Sequence, residues 1–214
     1  MIWPTDWQTN SLFLLRWIHL ASGIAWLGML IAFLLITARV LPEADEATRA
    51  RVRPVVLPRL LLWMRWSALG AILAGLADYV LLLASEGIWP RVFVFLAAWS
   101  FAWFVTAGFL RLSASGKKLV HGSSLAAALL LFFAVVGWSG DLYMRRGGSP
   151  KTIALSLGGG LALLMFGNTW VFLAPGKAEG RLGQLAARMN AWLTPAVLFL
   201  MGSASHFPLF QARR

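Results

Sequence analysis

Apolar runs about twenty residues long recur along this chain, and each is long enough as a helix to cross roughly 30 Å of hydrocarbon. They fall at 11–38, 66–84, 92–110, 119–138, 152–174 and 191–210. Inside a bilayer no water is present to bond backbone N–H and C=O groups, so a spanning segment must satisfy them internally, as a helix does. The pattern predicts an all-α fold: a polytopic transmembrane bundle of about six helices, forming one domain over 1–214. Composition agrees, since 59% of the residues are hydrophobic and 13% are charged, against about 25% charged in ordinary globular domains.

Breakers lie between the runs: Pro42, Pro54 and Pro58, then Gly87 and Pro90, Gly116, Gly147, Gly148 and Pro150, and finally Pro175 with Gly176. The polar segment 43–53 reads as a short surface helix of its own. Positions 1–10 carry no basic run and no small-residue cleavage site, so the first apolar run reads as a retained helix rather than a signal peptide.

A formal net charge of +11 raises the question of nucleic acid. The basic residues flank apolar spans instead of clustering on a soluble face, so the anionic partner they imply is membrane lipid. Twelve Lys and Arg residues fall in the first, third and fifth connections and six on the opposite side. That bias puts the odd connections in the cytoplasm and both termini outside. Trp3, Trp7, Trp63, Trp66, Trp89, Trp138 and Trp192 lie near span ends, where an amphipathic ring prefers the headgroup level. Gly23 and Gly28, Gly70 and Gly75, and the run Gly158, Gly159, Gly160 permit close helix contact. Cysteine is absent, which excludes disulfides, thiolate metal sites and covalently attached c-type haem.

Metal chemistry must therefore rest on the three histidines, His19, His121 and His206, or on carboxylates. His19 lies about eight residues, roughly 12 Å, below the outer end of the first helix, and His206 about four residues, roughly 6 Å, from the outer end of the last. His121 opens the fourth span at the opposite face. A b-type haem in a helical bundle takes imidazoles from two facing helices, and only His19 and His206 share a half of the membrane. Gly23, one turn below His19, leaves room for a flat macrocycle; Arg16, one turn above, suits a propionate. Asp78 lies about six residues, roughly 9 Å, from the outer end of the second helix, and an ionisable residue at such depth is a functional candidate by default. The cluster suits three occupants: a haem b, a quinone headgroup, or nothing beyond polar groups of neighbouring helices. Asn168 and Thr169 in the fifth span read as polar glue between helices.

The stretch Arg-Trp-Ile-His-Leu-Ala-Ser-Gly-Ile-Ala-Trp-Leu-Gly at 16–28 resembles the opening helix of the membrane domain of bacterial cytochrome c-linked urate oxidases, the urate hydroxylase family. Trp63-Met64-Arg65-Trp66 is similar to the start of that domain's next helix. The spacing of Asn168 and Pro175, and the ending Arg188, Asn190, Thr194, Pro195, Met201, His206-Phe207-Pro208, are similar to its later part. The resemblance implies a redox role, a bacterial inner-membrane location, and His19 and His206 as iron ligands. Two positions depart from the family pattern: Leu62 stands where a His is expected, and Ser205 replaces an Asn. No cytochrome c domain follows within these residues, so the electron partner is expected to be a separate protein.

Two functional expectations result. The first is a membrane redox subunit, a component of an oxidoreductase, relaying electrons through haem b between a partner enzyme and a cytochrome c or quinone. The second is a cofactor-free anchor subunit of a larger respiratory or photosynthetic complex.

Overall fold

A computed structural model describes residues 7–85, 87–115 and 150–206, with side chains at 9–85, 87–115 and 151–203. Every regular element among them is helical. The chain divides into two compact units, Met1–Trp89 and Pro90–Arg214. Five helices among the described residues are long and apolar enough to cross a membrane. The fourth expected span, 119–138, lies outside the described residues, as does His121.

The first unit is a helical hairpin. Helix α1 spans Trp7–Leu35 and runs through a π-helical turn, Ile36–Val40, into the short α2, Leu41–Glu43. At the π turn the Thr37 hydroxyl donates to the Phe33 carbonyl at 2.8 Å, a side-chain bond that competes with the regular backbone ladder. Pro42 follows directly on the π turn, in the first turn of α2. Ala44 is extended, and the Asp45 carboxylate then caps helix α3, Glu46–Ser85, by accepting the Thr48 amide at 2.6 Å. That amide, then the Thr48 hydroxyl, and more weakly the Arg49 charge, hold the Asp45 carboxyl below its ordinary value of 3.8 against a small burial cost. The cap is complete above the unfolded value and fades as pH falls through the lower folded one.

Two expectations need correction here. Pro54 and Pro58 do not break the chain, and 43–53 is not a separate surface helix: α3 runs through both prolines as one helix of 40 residues. A helical proline strands the carbonyl four residues back, but Ala50 and Pro54, which lose their partners, are both exposed, so the stranded oxygens are not sealed inside packed protein. Within α3, the buried Leu57, Leu61, Met64, Ala68 and Ala71 recur at alternating steps of four and three, the stripe of a left-handed helix pair. This stripe packs on α1, whose buried residues are Trp26, Leu30 and Phe33.

The second unit holds α4 (Arg91–Ala114), α5 (Pro150–Val171) and α6 (Arg181–His206). The last of these starts well before position 191, the expected edge of the span. Arg181 and Arg188 are unwelcome in hydrocarbon but are good helix formers, so the apolar run marks the membrane segment and not the helix. Gly176, at φ 79°, makes the reversal between α5 and α6.

All three helices pack on one another. Gly160 and Gly167 of α5 are each covered by an indole of α4, from Trp99 and Trp103, so closely that a Cβ at either glycine would overlap the ring. Met201 and Leu200 of α6 approach Gly158, where a Cβ would come within 3.1 and 3.2 Å of their side chains. Beyond them Ala107, Leu110, Phe172 and Ala186 form a small buried cluster, and the Arg111 guanidinium lies 5.7 Å from the Phe172 ring centroid.

Gly160→Ala and Gly167→Ala are expected to lower unfolding stability by about 1–3 kcal/mol each through overpacking against the indoles. Gly28→Ala, where a Cβ would meet nothing within 4 Å, is expected to change it by less than about 0.5 kcal/mol. Thermal unfolding in detergent measures both; equal effects at all three glycines would contradict the packing described.

Candidate functional site

The polar residues of the hairpin form two adjacent rungs. One turn apart on α1, Arg16 and His19 face α3, and the antiparallel run of α3 brings Asp78 level with the first and the segment from Ala71 to Gly75 level with the second. Arg16 Nε lies 3.5 Å from Asp78 Oδ1, with the side chains 63% and 28% exposed. The His19 ring, half-buried, has Nδ1 2.7 Å from the Ala71 carbonyl oxygen.

That contact fixes the proton. A carbonyl only accepts, so Nδ1 must donate, and in the neutral ring the lone pair then lies on Nε2. The Ala71 carbonyl oxygen has two lone pairs, so it can take the imidazole besides its own helical amide. Gly75 makes the approach possible: a Cβ there would sit 2.7 Å from His19 Nδ1 and 2.8 Å from Cε1. One turn further along, Gly70 does the same for Ser22, whose hydroxyl oxygen would lie 2.9 Å from such a Cβ.

An imidazole held by Nδ1–H on a backbone carbonyl, with Nε2 basic, is the usual arrangement of a histidine that ligates metal. Among the described residues no group of three or more His, Asp or Glu side chains could hold a bare metal ion. A single imidazole held in this way would suit iron whose remaining ligands are not all supplied by the protein, as in a macrocycle. Gly23, one turn from His19, lies open, with nothing within 4 Å of where a Cβ would be.

The structure thus brings together Arg16, His19 and Asp78 in one unit, with Gly23 one turn from His19. His206 is the last residue of α6; its side chain, like all of His121, lies outside the described residues.

A second polar cluster holds α5 to α6. Asn168 donates to Asn190 Oδ1 at 2.9 Å, while Asn190 donates to the Met165 carbonyl at 2.9 Å and to the Thr169 hydroxyl at 3.2 Å. Thr169 in turn donates to the Met165 carbonyl at 2.8 Å. All three side chains are fully buried. Every donor in this network is spent within the protein, while Asn168 Oδ1 is buried without a hydrogen bond, and the bonds tie α5 to α6 as the glue reading expected.

No protein-family model, curated protein or solved structure matches this chain.

Gly75→Ala is expected to displace the His19 ring and lower unfolding stability by about 1–3 kcal/mol. In a His19→Ala background the same change is expected to cost less than about 0.5 kcal/mol, because the clashing ring is gone. A double-mutant cycle from unfolding measurements checks this, and purely additive costs would remove Gly75 as the seat of the imidazole.

Proposed function

We propose that this protein is a membrane redox subunit in which His19 is an axial ligand of a b-type haem, relaying electrons between a partner enzyme and a cytochrome c or quinone. The observation that carries this reading is the His19 imidazole, pinned through Nδ1 to the Ala71 carbonyl at 2.7 Å with Nε2 left basic. The proposed setting is a bacterial inner membrane, with six spans, both termini outside, and His19 in the outer half. His206 is proposed as the second ligand on the strength of the motifs around 16–28 and 188–208, which resemble the urate oxidase membrane domain.

Haem b, once bound, supplies a one-electron couple. The chain's residues do the rest. Ala71 and Gly75 hold the imidazole in orientation, and the bond to the carbonyl raises the basicity of Nε2. Gly23 leaves the flank of α1 free for a planar group. Arg16, exposed over most of its side chain and only loosely paired with Asp78, can turn its guanidinium to a propionate, with Asp78 limiting how far it travels.

The test is a reduced-minus-oxidised absorption spectrum of protein purified from haem-sufficient cells. A low-spin b-type signal is expected in the wild type and in His121→Ala, and is expected to vanish in His19→Ala and His206→Ala while helical content and membrane insertion persist. A wild type without the signal would leave the cofactor-free anchor subunit as the surviving reading. A signal that survives His19→Ala would remove the ligand assignment.

A further inference from the structure

One end of the second unit gathers positive charge with almost nothing to balance it. Arg111 lies in the last turn of α4, Lys177 in the turn between α5 and α6, and Arg181 and Arg188 at the start of α6. All four are exposed, and none is ion-paired with another described residue. Glu179 is the only carboxylate among the described residues of this unit. The first hairpin differs, because Glu43, Asp45 and Glu46 stand among its arginines.

Contacts between the helices fix the levels of these cations. The bond from Asn168 to Asn190 sets those two residues side by side on α5 and α6. One turn further out, Phe172 and Ala186 share a buried cluster, and the Arg111 guanidinium lies 5.7 Å from the Phe172 ring centroid. Arg188 follows Ala186 by two residues, so Arg111 and Arg188 stand at nearly one level on different helices. Because α4 packs on α6, only about 8–10 Å separates two such helix axes, a gap that two arginine side chains can close.

The same level is that of lipid headgroups. Arg181, Arg188, Trp192 and Phe199 recur at steps of seven, four and seven, which is one face of α6. Trp192 and Phe199 are 84% and 63% exposed, so this face passes from guanidinium through indole to phenyl as α6 enters the apolar run. An exposed indole at that place marks the edge of the hydrocarbon. Arg188 then lies about 6 Å beyond the edge, and the level of Ala186 and Arg111 about 9 Å beyond it. The headgroup layer is about 5–8 Å deep on each side. Arg181 and Lys177 start further out, and a long basic side chain can bend back toward the layer.

Cations this close repel one another, since charge is screened only over about 8 Å at physiological salt. An anion shared between them removes the repulsion, and a guanidinium forks around phosphate oxygens in particular. The charge pattern of the sequence implies acidic lipid for the chain at large; the structure singles out one corner of one unit, with cations from two helices and a turn above an apolar track.

We propose that this corner is a saturable site for an acidic phospholipid, whose phosphate is held between Arg111 and Arg188, with Lys177 and Arg181 outside it, and whose acyl chain lies along Trp192 and Phe199. The site depends neither on haem nor on which side of the membrane the corner faces.

The full chain in uncharged detergent tests it, titrated with dioleoylphosphatidylglycerol or dioleoylphosphatidylcholine and read by its thermal unfolding midpoint. The acidic lipid is expected to raise the midpoint and to saturate near one lipid per chain, while the zwitterionic lipid leaves it unchanged. Arg111→Gln plus Arg188→Gln is expected to weaken the response to the acidic lipid at least tenfold. Arg51→Gln plus Arg59→Gln removes the same charge from the other unit and is expected to weaken it less than about twofold. Should the first pair fail to fold without lipid, Lys177→Gln plus Arg181→Gln takes its place, with a loss of at least threefold expected. Inorganic phosphate is expected neither to raise the midpoint nor to compete. An equal response to both lipids, a rise that never saturates, equal losses from the two units, or phosphate acting in place of the lipid would each overturn the proposal.

Discussion

Helices inside a bilayer gain little from hiding leucine against leucine, since lipid tails are equally apolar, so close packing, close backbone approach and polar partners drive their association. Beside the apolar stripe of Leu57, Leu61 and Met64, this protein uses such places. Gly70 and Gly75 let α3 receive Ser22 and His19 from α1. Gly160 and Gly167 take two indoles from α4. Asn168, Thr169 and Asn190 bond to one another and to the Met165 carbonyl between α5 and α6. Meanwhile large side chains such as Ile24, Phe104 and Phe199 are exposed, which suits acyl chains and not water.

This constraint explains the most unusual residue in the hairpin. A histidine in hydrocarbon needs a partner for its N–H, and the polar partner that every helix offers is the second lone pair of a backbone carbonyl. His19 uses the one at Ala71, and the consequence is chemical as well as structural, because the bond determines which nitrogen remains basic. Packing and ligand preparation are therefore one interaction. The Arg16–Asp78 rung next to it keeps an exposed cation one turn away.

Much of this was legible in the sequence. Run length and the scarcity of charge identify the described helices, and a rise of 1.5 Å per residue puts Arg16 and His19 one turn apart on α1, where the hairpin sets them against Asp78 and Ala71 of α3; His206, expected to join them, has its side chain outside the described residues. Gly70 and Gly75 were recognisable as points of close approach, but the identity of the visitor was not. Any carbonyl along α3 could have accepted the imidazole, so Ala71 leaves no mark in the sequence. The prolines misled for a related reason. Pro54 and Pro58 break a helix only when the stranded carbonyls stay dry, and exposure of Ala50 and Pro54 is a tertiary property. The early start of α6 was hidden because hydropathy measures what lipid tolerates, whereas Arg181 and Arg188 need only be compatible with a helix.

The claim at the centre of this account is that the His19 ring donates from Nδ1 to the Ala71 carbonyl, which leaves Nε2 as the nitrogen that can meet a ligand. Nitrogen NMR of protein labelled with ¹⁵N only in histidine reads this directly, with His19→Gln providing the assignment among three signals. The account predicts a pyrrole-type resonance for Nδ1 of His19 and a pyridine-type resonance for Nε2, with Nε2 the nitrogen that shifts when haem b is added. A His19 ring that carries its proton on Nε2 and none on Nδ1 would contradict it.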